Sequence, residues 1–116
     1  MDIQNIALIG DSAGGHLCIA LTLLCIMRRF RKPDGLSLIY PACCSNINHF
    51  FPSNLLALDD PLLTGKLMNY VATAFMSKGG DATKNMILTP VYTPLEILAQ
   101  MPKTWVFVCE VDPLRD

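Results

Sequence analysis

The chain opens on a short unbroken apolar run, Ile6 to Ile9, closed by Gly10. Apolar residues at consecutive rather than alternate positions predict a strand covered on both faces. Residues 13–30 then carry helix formers throughout. Leu17, Ala20, Leu21, Leu24, Cys25 and Arg28 keep the i, i+3, i+4 spacing of one face. Ile19, Leu23, Ile26 and Met27 fill the other side, so the pattern predicts a central helix, mostly buried. Lys32-Pro33-Asp34-Gly35 marks a turn, and Leu36 to Tyr40 is a second apolar strand that Pro41 stops. Strand, helix and strand in that order predict a parallel pair joined by a right-handed crossover.

From Ala42 to Leu63 the pattern turns irregular, with Asn46, Asn48, Pro52, Ser53, Asn54 and Pro61, and predicts a long loop with one short turn at most. Loops of this length are usually functional. Thr64 can cap a helix running to about Lys78, which Gly79-Gly80-Asp81 ends. Thr93-Pro94 starts a short helix through Gln100, broken by Met101-Pro102. Thr104 to Cys109, rich in β-branched and aromatic residues, is the clearest strand.

Composition adds exclusions. With 52% apolar and 16% charged residues in 116, the chain has the make-up of one small globular domain. A formal charge of −1 leaves no basic face to neutralise phosphates, so nucleic acid is not an expected partner. The cluster Arg28, Arg29, Arg31 and Lys32 reads as the solvated end of the preceding helix, where cations complement the dipole. Five cysteines are an odd number, none is spaced C-x-x-C, and Cys43 and Cys44 are adjacent. That suits neither a disulfide framework nor a zinc site and predicts reduced, mostly packing thiols. No secretory signal is visible, and the run from Leu17 to Met27 is too short to span a bilayer. The cytosol is the default compartment, with a lipid-droplet surface left open.

Gly10-Asp11-Ser12-Ala13-Gly14 matches G-x-S-x-G, the nucleophile elbow, and lies where that motif must lie, between a buried strand and a helix. The turn is tight enough to hold the serine in strained backbone geometry, and glycines at 10 and 14 are expected to remove clashes between strand and helix. Ser12 would project above the sheet, at the amino end of a helix whose dipole favours developing negative charge. The Ala13 N–H is the local oxyanion donor. A phosphate-binding reading of the same glycines fails on spacing, and no P-loop lysine follows.

Hydrolases built on this elbow run serine, acid, histidine along the chain. Asp112 follows the Thr104 to Cys109 strand on the side where open parallel sheets bind ligands, and is the expected acid. Glu110 and Asp116 are its rivals. No histidine follows it. His16, one helical turn beyond Ser12, is expected to pack beneath the elbow, and His49 to sit at the surface or at a substrate gate rather than act as a base.

Gly10-Asp11-Ser12-Ala13-Gly14-Gly15 and the terminal Asp112-Pro113-Leu114-Arg115-Asp116 together resemble the two signatures of the hormone-sensitive lipase family. Between them, Pro33-Asp34-Gly35, Tyr40-Pro41 and Asp60-Pro61-Leu62-Leu63 are similar to the family's namesake lipase more than to its shorter esterases. The resemblance covers essentially the whole chain. It implies a partial α/β-hydrolase fold, with parallel strands, a nucleophile elbow and flanking helices. It also implies Ser12 as nucleophile, Ala13 as an oxyanion donor, and Asp112, rather than Asp116, as the acid that orients a histidine. The family's upstream His-Gly-Gly-Gly loop and downstream catalytic histidine are absent, so residues 1–116 are expected to be a central-to-C-terminal segment, inactive by itself.

The implied reaction is hydrolysis of an apolar acyl ester or acylglycerol, with Leu55, Leu56 and Leu58 as candidate pocket residues and no metal or cofactor. The alternatives are a receptor-like, non-catalytic binding protein of the same fold and an inactive fragment.

Overall fold

A computed structural model describes residues 4–46, 48–76 and 81–116. Three parallel strands form one sheet in the order β1 (Ala7–Asp11), β2 (Gly35–Ile39), β3 (Lys103–Phe107). Asp11 pairs with Ile39 and Ile39 with Phe107, so all three strands end at the same edge. The Asp34 carboxylate accepts the Ile6 N–H at 2.7 Å, and the Asp34 N–H donates to the Ile6 carbonyl at 2.7 Å, which sets this register where β1 begins.

The helix α1 (Ala13–Met27) packs across β1 and β2. His16, Ile19, Ala20 and Leu23 are buried at helical spacing, and Ile19 and Leu23 meet Leu36 and Leu38 of β2 to form the core. Thr22 is also buried, its hydroxyl donating to the Cys18 carbonyl at 2.7 Å. The helix ends at Met27, three residues earlier than its composition suggests, and Arg29 beyond it takes φ 55°. The basic cluster is exposed as expected, but α1 ends before it and its last turn holds no basic residue, so the cluster lies beyond the helix rather than in its final turn.

Burial departs from the hydrophobic pattern. Leu17 and Leu21 of α1 are 63% and 50% exposed, Ile9 of β1 is 71% exposed, and every residue of β3 is exposed. Apolar residues all round α1 and along β1 suit a helix and a strand covered on two sides, and among the described residues only one side is covered.

The connections hold four short elements: α2 (Pro52–Leu56), α3 (Gly65–Phe75), a 3₁₀ turn at Pro90–Tyr92, and α4 (Leu95–Leu98). The Thr64 side chain accepts the Leu67 N–H at 3.3 Å, the expected cap. The expected end of that helix at Lys78 to Gly80 lies outside the described residues. The long loop contains a true helix, α2, and the helix expected over residues 93–100 is α4, shorter at both ends, with Pro94 as its N-cap and the 3₁₀ turn preceding it.

Candidate active site

β1 runs straight into α1 with a single residue between them, Ser12, at φ 49° and ψ −116°. A non-glycine residue in that region is strained and persists only where its surroundings fix it. Here they do. The Ser12 N–H donates to the Ile39 carbonyl at 2.9 Å, and the Ser12 carbonyl accepts the His16 N–H at 3.1 Å and the Ala42 N–H at 3.2 Å. The backbone is held from both sides while the residue itself is exposed beyond the sheet edge. Ala13, Gly14 and Gly15 form the first turn of α1, where N–H groups have no acceptor within the helix and the dipole is positive.

The glycines divide differently from expectation. A Cβ on Gly10 would lie 2.4 Å from the Gly14 carbonyl carbon and oxygen, and one on Gly15 would lie 2.9 Å from the Pro41 side chain. One on Gly14 would meet only Asp11 Oδ1, at an ordinary 3.7 Å. The close approaches are therefore strand to helix at Gly10 and helix to the segment after β2 at Gly15; Gly14 contributes its backbone, not a missing side chain. Accordingly Gly10→Ala is expected to destabilise the protein by about 1–3 kcal/mol or more, because backbone cannot step aside. Gly14→Ala should be neutral or stabilising by up to about 1 kcal/mol. Urea unfolding of the two variants checks the contrast.

Asp112 lies five residues beyond Phe107, past the same sheet edge, and is 8% exposed. Its Oδ1 accepts the Leu114 N–H at 2.8 Å, and among the described residues nothing else bonds its carboxylate. β1 and β3 flank β2, so the β1 and β3 strand ends stand about 10 Å apart, two strand spacings. The rival acids differ. Asp116 accepts the Ser53 N–H at 2.8 Å on Oδ2 and pairs with the Arg115 guanidinium at 3.1 Å on Oδ1. The Ser53 N–H first, and Arg115 second, hold its carboxyl below the usual range. That contact stabilises the fold above the ordinary carboxylate pKa and is lost as pH falls through the lowered one. Glu110 is exposed, and its carbonyl accepts Arg115 Nη1 at 2.9 Å.

The tie between α2 and this terminal turn is absent from the sequence reading. Ser53 Oγ donates to the Pro113 carbonyl at 3.1 Å and Asn54 Nδ2 donates to the same oxygen at 2.7 Å, so α2 clamps the residues that follow Asp112. A proline at the first helical position, Pro52, was its one local signal. Pro41, read in the sequence as the stop of β2, also lies close against Gly15, an approach with no local signal.

His16 is buried, its Nδ1 lies 2.9 Å from the Ala42 carbonyl, and its ring meets Phe75 edge-on at 5.6 Å. His49 is exposed in the loop, stacked on Phe51 at 4.4 Å, with Nδ1 3.1 Å from the Tyr92 hydroxyl. A cleft of about 400 Å³ opens between this loop, α3 and the terminal turn, lined by His49, Phe51, Leu58, Met68 and Leu114 among others. Ser12 and Asp112 are not in its wall. Leu58 is, whereas Leu55 and Leu56 are not and stand 57% and 63% exposed, because α2 turns its other side to the terminal segment. Among the described residues no three His, Cys, Asp or Glu side chains group as metal ligands, and no helix is long and apolar enough to cross a membrane.

The family model described as alpha/beta hydrolase fold, Abhydrolase_3, matches residues 1–116. The chain belongs to that family. This Abhydrolase_3 chain is 30% identical over 115 residues to an esterase of Gibberella moniliformis, covering 98% of the chain and 36% of the esterase. It is 39% identical over 72 residues to mouse hormone-sensitive lipase, covering 62% of the chain and 9% of the lipase. The crystal structure of carboxyl esterase 2 from the fungus Tuber melanosporum superposes with a TM-score of 0.86 at 30% identity, over 99% of this chain and 37% of that one. By sequence and fold the Abhydrolase_3 chain falls among esterases and lipases of the hormone-sensitive lipase type, and it spans little more than a third of the esterases it matches.

Proposed function

We propose that the chain is the nucleophile-bearing segment of a carboxylic-ester hydrolase and that Ser12 attacks the acyl carbonyl. The observation that carries this reading is the strained Ser12 backbone, fixed at the junction of β1 and α1 with its residue exposed. Strain of this kind, at a helix amino terminus, presents a hydroxyl to substrate and aims free N–H groups at developing charge.

In the proposed cycle a histidine from elsewhere in the full-length protein takes the Ser12 proton as Oγ bonds to the carbonyl carbon. The Ala13 N–H, with further donors outside this chain, holds the oxyanion. The histidine then gives its proton to the leaving alcohol, and water, activated in the same way, releases the carboxylic acid. Asp112 orients that histidine. Its carboxylate, open to a further donor, suits an imidazole partner. The apolar cleft beside Leu58 and Met68 would receive the acyl chain of a small ester or acylglycerol. Residues 1–116 alone are expected to be inactive.

The test is transient kinetics of the full-length protein with p-nitrophenyl esters of increasing chain length. A burst of nitrophenol stoichiometric with protein, followed by slower turnover, is the expected signature of an acyl-enzyme whose deacylation limits the rate. Absence of both burst and steady turnover across the series would refute the reading and favour a binding protein.

A further inference from the structure

Two cysteines stand side by side on the segment that braces the elbow. Ala42 is tied to that elbow twice: its N–H donates to the Ser12 carbonyl at 3.2 Å, and its carbonyl lies 2.9 Å from His16 Nδ1. Cys43 follows directly, its carbonyl accepting the Val91 N–H at 3.2 Å and its side chain packing against the core. Cys43 and Cys44 are both partly exposed thiols in the wall of the cleft.

We propose that Cys43 and Cys44 form a reversible vicinal disulfide on exposure to a disulfide oxidant such as glutathione disulfide, and that closing the ring loosens the brace on Ser12. The exchange balances. The Cys44 thiolate attacks one sulfur of glutathione disulfide, forming a mixed disulfide and releasing one glutathione thiolate. The Cys43 thiolate then attacks the Cys44 sulfur and expels the second glutathione. Two electrons pass to glutathione, and the two thiol protons end on its two released thiols. Burial, and secondarily the neighbouring Cys44, push the Cys43 thiol pKa up, which suits Cys43 to the second, intramolecular step.

Geometry makes this ring labile. Neighbouring Cα atoms across a trans peptide are about 3.8 Å apart, while disulfides ordinarily join Cα atoms about 4.4–6.8 Å apart. Closing the ring must distort the backbone at Cys43 and Cys44, and strained disulfides are the readily reduced ones. The distortion falls on the segment whose hydrogen bonds hold Ser12 and Val91. Cys18 and Cys25, both on α1, and Cys109, beyond β3, are not on it.

The experiment treats the reduced full-length protein with glutathione disulfide and reads mass, amide exchange and ester turnover. Only turnover rests on the serine reading. The peptide holding both cysteines should become lighter by two hydrogens, amide exchange at Ala42 and Val91 should quicken, and turnover should fall on the order of tenfold to a hundredfold. Dithiothreitol should reverse all three. In Cys44→Ser the ratio of oxidant-treated to untreated turnover should return to near unity, and in Cys109→Ser it should fall as in the parent protein. A pair that stays reduced or ends carrying two glutathiones overturns the proposal, as does ring closure that leaves Ala42 and Val91 exchange unchanged. If the reduced protein lacks turnover while the mass and exchange changes occur, the serine reading fails and the thiol switch stands.

Discussion

Ser12→Ala in the full-length protein is expected to lower kcat for p-nitrophenyl esters by about a millionfold, roughly 8 kcal/mol of transition-state stabilisation. KM should change far less. The substitution removes one oxygen and leaves the Cβ, so the backbone strain at φ 49° and the bonds to Ile39, His16 and Ala42 remain. Thermal unfolding should therefore shift by no more than a few degrees. Steady-state kinetics beside a melting curve separates lost chemistry from lost fold, and turnover within tenfold of the parent protein would contradict the role.

Asp112→Asn should be the next most damaging change, at about 10⁴ in kcat, because an amide in that position favours the wrong histidine tautomer. Asp116→Asn should cost much less. Asp112 is buried with a carboxylate open to a donor, whereas both oxygens of Asp116 are engaged, one by the Ser53 N–H and one by Arg115. Loss of Asp116 would instead loosen the clamp between α2 and the terminal turn, a stability effect that acid mimics as that carboxylate protonates. Parallel kcat and unfolding measurements on the pair decide the order. The reverse ranking would move the acid to Asp116.

The three strands and α1 were legible because each is written in consecutive residues: apolar runs at Ile6 to Ile9 and Leu36 to Tyr40, and helix formers after Ser12. Their burial was not. Periodicity records what an element is built to contact, so Leu17, Leu21 and Ile9 read as core although the described residues leave half or more of each exposed. The α2 helix escaped because five residues with Asn54 among them carry no helical period, and its hold on Pro113 is a contact across about sixty residues. The elbow showed the same split. Motif spacing located Ser12 and the need for Gly10, but assigned to Gly14 a steric role that belongs to Gly15, since Pro41 reaches Gly15 only once β2 is beside β1. Of the three candidate pocket leucines, Leu55, Leu56 and Leu58, only Leu58 lines the cleft, a choice made by how α2 is turned.

The most direct test of Ser12 as nucleophile is covalent labelling. The full-length protein is incubated with a fluorophosphonate, digested, and the modified residue located by tandem mass spectrometry. A single adduct on Ser12, blocked by prior incubation with ester substrate and absent from Ser12→Ala, is the expected result. An adduct on another residue that accounts for the loss of ester turnover would contradict it.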